Sequence, residues 1–176
     1  MKHGAAVTLS VNEEILLQMI KPEDSKELFQ LVEKNRAHLR EFLGWVDFNT
    51  SENDTKEFIA SQEQLGDLTF CIRLKGALIG LVDLHGIDKL NHSASIGYWI
   101  DSSHQNKGIM RRSVKSLIDY GKEVLKLHRI QILCATNNTK SQKIPNALGF
   151  HMEGTLRDAI WHYKSFYDAY VYGLIL

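Results

Sequence analysis

Cysteine and proline are both scarce in this sequence, with two of each in 176 residues. Cys71 and Cys134 show neither CxxC nor metal-ligand spacing, and each falls in an apolar run, so both read as buried free thiols. With so few prolines, no low-complexity stretch and no internal repeat, residues 1–176 read as a single continuous domain. A chain of this length buries roughly 68–70% of its unfolded surface, enough for a core without staples. Neither sign of charge is in excess, since 21 Lys and Arg balance 21 Asp and Glu. That balance argues against a general affinity for nucleic acid or anionic membrane, while leaving room for a local basic patch. No apolar run approaches the ~20 residues of a membrane span. The start, Met1-Lys2-His3-Gly4 leading into Val11-Asn12-Glu13-Glu14, holds no uninterrupted apolar signal region, so the expected location is cytoplasmic.

The patterning that is present describes a mixed α/β domain. Ile15 to Ile20 reads as a short strand ended by Lys21-Pro22. Pro22 near the first helical position and Asp24 in the first turn open a helix with Leu28, Leu31 and Val32 inward. A short second helix is expected over Ala37 to Leu43. Thr50-Ser51-Glu52-Asn53-Asp54 caps a third, with Phe58, Ile59, Gln62 and Leu65 on its inner face. Three strands follow, Thr69 to Leu74, Leu78 to His85 and Ala94 to Ile100, the first two joined by a Lys75-Gly76 hairpin signal. Gly108 to Leu127 is the strongest helix, because Met110, Val114, Leu117, Ile118, Gly121 and Leu125 form a 3.6-residue stripe. Arg129 to Ala135 is another strand and Thr139 to Leu148 a short helix. A final pair of strands ends in Ala169 to Leu176, whose nearly continuous apolar character places it inside a sheet.

Chemistry concentrates where the strand Ile96-Gly97-Tyr98-Trp99-Ile100 runs through a polar loop into the helix opened by Gly108. A helix N-terminus presents unpaired N–H donors and about half a positive charge, which suits a phosphate. Gly108 permits close backbone approach, and Lys107, Arg111 and Arg112 add positive charge. Taken alone, the turn reads first as an ordinary capped helix flanked by solvated basic residues, because neither P-loop spacing nor a full GxGxxG is present.

Gln105-Asn106-Lys107-Gly108-Ile109-Met110 resembles the Gln/Arg-x-x-Gly-x-Gly/Ala signature of the GNAT acetyltransferases. Asn138-Thr139-Lys140-Ser141, followed by Leu148-Gly149-Phe150, resembles the second cofactor motif of the same family. Together with Ile96-Gly97-Tyr98-Trp99-Ile100 and the Asn35-Arg36-x-His38-Leu39-Arg40 region, these motifs are similar to the RimJ/RimL branch. That branch contains N-terminal acetylases of ribosomal proteins and YdaF-like proteins.

The resemblance covers the whole chain. It implies a GNAT fold, with a central twisted mixed sheet of about seven strands splayed between the fourth and fifth, flanked by four to five helices. It implies acetyl-CoA as co-substrate, with Trp99, Ile100, Asp101, Gln105, Asn106, Lys107, Gly108, Ile109, Met110, Arg111, Asn138 and Ser141 holding it. Met110 stands where the signature has Gly or Ala, and its place in the apolar stripe turns its side chain into the helix packing.

Direct transfer requires that an amine lose a proton, an oxyanion be stabilised and a thiolate be protonated. The resemblance assigns the thioester oxygen to a backbone N–H near Ile100 and Asn138 to the pantetheine arm or its loop. Pro145 occupies the place of the tyrosine acid found in many members, leaving Ser141 beside the sulfur. Ser95 replaces a frequent glutamate base; Asp83 and His85, alternating onto one face, are the substitutes, with Asp101 and Glu153 behind them. Phe42, Trp45 and Trp161 are expected at the acceptor pocket, although aromatics at such places also cover cores. The other histidines (His3, His38, His92, His104, His128 and His151) show no metal pattern, and direct transfer needs no metal.

The lack of a strong base favours an α-amine acceptor, as in the ribosomal-protein N-acetylases. Acetylation of a small-molecule amine, and a non-catalytic acyl-CoA-binding domain, are the alternatives. Oligomeric state is open.

Overall fold

The computed structural model describes residues 7–176, so Met1-Lys2-His3-Gly4, expected not to form an export signal, lies outside the described residues. The apolar runs form eight strands: β1 (Thr8–Ser10), β2 (Ile15–Met19), β3 (Leu68–Leu74), β4 (Ala77–Asp88), β5 (Ser93–Ile100), β6 (Arg129–Ala135), β7 (His151–His162) and β8 (Ser165–Ile175). They make one sheet in the order β1-β2-β3-β4-β5-β6-β8-β7. Every neighbouring pair is antiparallel except β5 and β6, which are parallel. The last strand is internal, flanked by β6 and β7, as its continuous apolar character predicts. The strand beyond the seven expected is β1, whose three residues are too few to show a period.

Helices α1 (Ser25–Leu39) and α2 (Glu52–Leu65) cover one face; α3 (Ile109–Glu123) and α4 (Thr139–Ala147) cover the other. Leu28, Leu31, Val32 and Leu39 of α1 pack with Val46, Cys71, Leu78 and Leu81. The opposite cluster joins Met110, Val114, Leu117 and Ile118 of α3 to Phe70, Val82, Ile96, Ile130 and Ile132 of the sheet. Each such side chain, fully buried, contributes about 1.5–3 kcal/mol. The Met110 side chain is within this core, as its place in the stripe requires. Both cysteines are buried and free.

Three helical expectations are corrected. No separate helix spans Ala37 to Leu43, because α1 runs unbroken to Leu39 and a 3-10 turn follows at Gly44–Phe48. Asn35, polar though it is, is buried inside α1, its Nδ2 donating to the Leu31 carbonyl 3.0 Å away. The α2 cap at Ser51 and the inward Ile59 are as expected, yet Phe58 and Leu65 are exposed and Thr55 is the other buried residue of the helix. Helix α3 stops at Glu123, since Lys126 takes a positive φ and the Leu127 N–H turns back onto the Gly121 carbonyl.

What positions the functional site is a failure of pairing. Strands β5 and β6 are in register only from Ser93 to Ser95 against Arg129 to Gln131. Beyond that, β5 stays with β4 as far as Ile100 and β6 stays with β8 as far as Ala135. The two halves of the sheet therefore diverge, which is the splay expected between the two central strands.

The end of β5 is held from behind by Gly80. A Cβ there would stand 2.4 Å from the Trp99 carbonyl oxygen and 2.9 Å from the Ile100 Cα. Gly80→Ala must therefore push backbone against backbone. We expect a loss of about 1–3 kcal/mol and a Tm lower by roughly 3–10 °C, measured by thermal unfolding. An unchanged Tm would show that β5 yields freely there.

Candidate active site

The wedge between the two half-sheets continues into a cleft of about 460 Å³, lined by the end of β5, the starts of α3 and α4 and the last turn of α1. Past Ser95 the edge of β5 that faces β6 has no strand partner. Its backbone polar groups must find partners elsewhere, and a bound ligand can supply them.

At the start of α3, Asn106 (φ 59°) and Gly108 (φ 68°) both take the left-handed conformation. Asparagine tolerates it and glycine adopts it without strain. Gly108 is the N-cap, so the N–H groups of the first helical turn point out into the cleft. A Cβ on Gly108 would also lie 3.1 Å from an Arg112 nitrogen.

This turn is tied to α1 at two points. The Gln105 Nε2 lies 2.7 Å from His38 Nε2. Ahead of it, Asp101 is 1% exposed and accepts from Lys34 Nζ (2.6 Å) and from the Ser103 N–H and hydroxyl (3.0 Å each). Burial alone would push the Asp101 carboxyl up, but the ammonium and the two Ser103 donors outweigh it and hold the pKa at about 2. Beside it, Asn35 Oδ1 accepts from the Ser102 N–H and hydroxyl, each 3.0 Å away.

Across the cleft, Asn138 caps α4, its side chain accepting the Ser141 N–H at 3.1 Å. This cap places Ser141 at the first turn, where its Oγ lies 3.1 Å from the Tyr98 hydroxyl and 3.4 Å from Cys134 Sγ. Burial pushes both the Tyr98 phenol and the Cys134 thiol above their ordinary values, so both are neutral donors at physiological pH.

The predicted residues divide clearly. Trp99, Ile100, Gln105, Asn106, Gly108, Ile109, Met110, Arg111, Asn138, Ser141 and Phe42 all line the one cleft. Asp101 and Lys107 do not, and Asp101 acts from below by capping the 3-10 turn at Ser102–His104. Trp45 packs on Trp99 with ring centroids 6.2 Å apart, on the α1–α2 side. Asp83 and His85 share that face, since β4 sets Leu81 opposite Trp99 and Asp83 opposite Gly97. They form a pair, His85 Nδ1 to Asp83 Oδ1 at 2.6 Å, outside the cleft lining. The bond to Asp83 raises the His85 pKa, so the imidazole keeps its proton to higher pH. Glu153 is held by Arg129 at the far side of the sheet.

Trp161 sits at the tip of the β7–β8 hairpin, 4.7 Å centroid to centroid from Phe166. That tip reaches across to α1, where Arg40 donates to the Tyr163 hydroxyl (3.0 Å) and its carbonyl lies 2.7 Å from His162 Nε2.

Tyr98, His38, Leu39, Leu43, His104, Lys140, Lys143, Ile144 and Ala147 also line the cleft and were not singled out from sequence. Tyr98 was visible in principle, because strand alternation puts it on the face of Ile96 and Ile100. His38 and Leu39 end α1 and Phe42 lies in the turn just after it, but nothing local shows that this end meets the loop before α3.

Compared with known proteins, residues 14–151 match the acetyltransferase (GNAT) domain family. The ribosomal-protein-serine acetyltransferase of Escherichia coli strain K12 is 32% identical over 173 residues, spanning 96% of this chain and 97% of its own. Among solved structures, RimL, a ribosomal α-N-protein acetyltransferase in complex with coenzyme A, superposes with a TM-score of 0.92 at 26% identity, covering 97% of this chain and 98% of its own. The microcin self-immunity acetyltransferase MccE in complex with acetyl-CoA and AMP gives 0.89 at 29% identity, with 94% of each chain covered.

The Asp101 network makes a stability prediction. A carboxylate with a folded pKa of about 2 contributes stability above its unfolded value near 4, and this is lost as pH falls through about 2. Asp101→Asn should cost about 1–2 kcal/mol at pH 7, the deficit shrinking between pH 4 and pH 2. Urea unfolding of both proteins across that range measures it; a deficit independent of pH would mean that charge is not the cause.

Proposed function

The chain belongs to the GNAT acetyltransferase family, and from that premise we propose that it moves acetyl from acetyl-CoA directly to the N-terminal α-amine of a protein, with a ribosomal protein as the expected acceptor. The observation that carries this reading is the chemistry of the cleft. Among its described lining residues are three cations, Arg111, Lys140 and Lys143, and no carboxylate. Cations around a helix N-terminus suit the phosphates of a coenzyme A molecule.

On this reading the N–H groups of residues 108–111 hold the pyrophosphate. Gln105 to Lys107 shape the turn, and Trp99 and Ile100 present the unpaired edge of β5 to the pantetheine arm and thioester. Asp101 serves through the loop that it anchors. The amine nitrogen bonds to the thioester carbon, the C–S bond breaks with its electron pair on sulfur, and the amine sheds its extra proton to solvent. Ser141 hydrogen-bonds the departing sulfur, and Asn138 keeps Ser141 in place. Phe42, Trp45 and Trp161 stand on the acceptor side, with the Asp83–His85 pair available to order water there.

The acceptor follows from acidity. An α-amine is roughly a tenth neutral at pH 7, whereas a lysine ε-amine is neutral to a few parts in ten thousand. A cleft without a carboxylate base therefore serves the former far better. The ribosomal-protein acetylation for which the E. coli relative and RimL are named supports the same choice. The two buried free thiols fit a reducing compartment, which supports a cytoplasmic enzyme. We further propose that residues 1–176 work as one acetyltransferase domain.

Two substitutions and a substrate panel test the proposal. Gly108→Val puts a β-branched residue at positive φ and should raise the acetyl-CoA Kd at least about tenfold by calorimetry. Ser141→Ala should lower kcat by about 10²-fold while leaving that Kd within about twofold. Free thiol release should be faster with N-terminal peptides than with lysine peptides blocked at the N-terminus; the reverse order would refute the α-amine assignment.

A further inference from the structure

Pro145 lies inside α4. Having no N–H, it cannot donate to the carbonyl four residues back, that of Ser141. That carbonyl is instead satisfied from outside the helix, by the Tyr98 hydroxyl at 2.9 Å. The same phenol is 3.1 Å from the Ser141 Oγ. One hydroxyl on β5 thus bridges the backbone oxygen and the side-chain oxygen of one residue on α4, across the splay of the sheet.

From this we infer that Tyr98 is a positioning residue for acetyl transfer: docked on the carbonyl that Pro145 leaves free, it fixes the Ser141 hydroxyl toward the departing sulfur. The inference rests on the proposed function above and deepens it. In the resting arrangement Ser141 donates to Tyr98, and Tyr98 donates to the Ser141 carbonyl. As the C–S bond breaks and its electron pair settles on sulfur, the Ser141 hydroxyl turns to donate to the thiolate. Tyr98 can then swing its own proton to Oγ, giving a chain from phenol to serine to sulfur in which each bond polarises the next. No proton leaves either side chain. The thiolate takes its proton from solvent, which has received the one shed by the amine. Burial keeps the phenol protonated, so it remains a donor throughout. Cys134 completes the surroundings of Oγ at 3.4 Å.

The test separates this role from plain support of the helix. Tyr98→Phe keeps the ring but removes both contacts. Adding Pro145→Ala returns an N–H to the Ser141 carbonyl, repairing the helix while leaving Oγ without its phenol. Thiol release is measured with an N-terminal peptide and also with water as the acceptor, since both share the leaving group and the second does not depend on the acceptor's identity. Acetyl-CoA affinity is measured by calorimetry. Tyr98→Phe should lower kcat on the order of tenfold in both assays, with acetyl-CoA Kd and KM within about twofold. Tyr98→Phe/Pro145→Ala should remain as slow, and Tyr98→Phe should have no further effect when added to Ser141→Ala. Recovery of the rate with Pro145→Ala would reduce Tyr98 to a helix support and overturn the inference, as would multiplicative losses with Ser141→Ala. A wild-type protein that does not bind acetyl-CoA would instead overturn the proposed function, and this inference with it.

Discussion

Everything at the site depends on the point where β5 and β6 stop pairing. Three residues of parallel register, Ser93 to Ser95 against Arg129 to Gln131, are followed by divergence, and each strand then follows its other neighbour. A strand edge without a neighbour leaves N–H and C=O groups that must find other partners, and past Ser95 the edge of β5 that faces β6 is such an edge. The fold retains such an edge and leaves a cleft beside it. That arrangement suits a ligand whose own amides and carbonyl can complete the sheet.

The walls of the cleft are held by polar contacts between elements remote in sequence. Asp101, buried and strongly acidic, draws Lys34 of α1 onto the loop before α3, and Asn35 and His38 reach the same loop. On the other wall, the Asn138 cap sets Ser141 at the head of α4, and Tyr98 reaches over from β5 to meet it. The loop before α3 and Ser141 are thus each fixed by a partner on another element, which suits a site that must position reacting groups.

The β7–β8 hairpin adds a second enclosure. Its tip carries Trp161 and Phe166 and is fastened to the end of α1 through Arg40, Tyr163 and His162. Because Arg40 is also paired with Asp47, the 3-10 turn bearing Trp45 is joined to the same anchor. Trp45 and the hairpin aromatics are therefore joined through Arg40, although they come from two distant parts of the chain.

Much of the fold was legible from local pattern. The α3 stripe, the Ser51 cap and the internal character of β8 follow from periodicity and burial, which act over a few residues. The starts of α3 and α4 were equally legible, since a glycine at a strand-to-helix junction and an Asn-x-x-Ser cap are local chemistry. Where the reading failed, distant contacts decided the outcome. A second helix was expected over Ala37 to Leu43, but α1 runs on to Leu39, and Asn35 within it is buried facing Ser102. Asp101, expected beside the cofactor, is bonded to Lys34 and Ser103 and does not line the cleft, contacts that no local pattern announces. Pro145 marked only the absence of a tyrosine from one position, while the consequence of that absence, a phenol arriving from β5, depends on how the sheet splays. Sequence by itself determined most of the elements and the glycine-started turn before α3, because these arise from short-range geometry. Only the tertiary structure decided which hydroxyl meets which carbonyl, because a hydrogen bond between β5 and α4 exists only once the chain has folded to bring them within 3 Å.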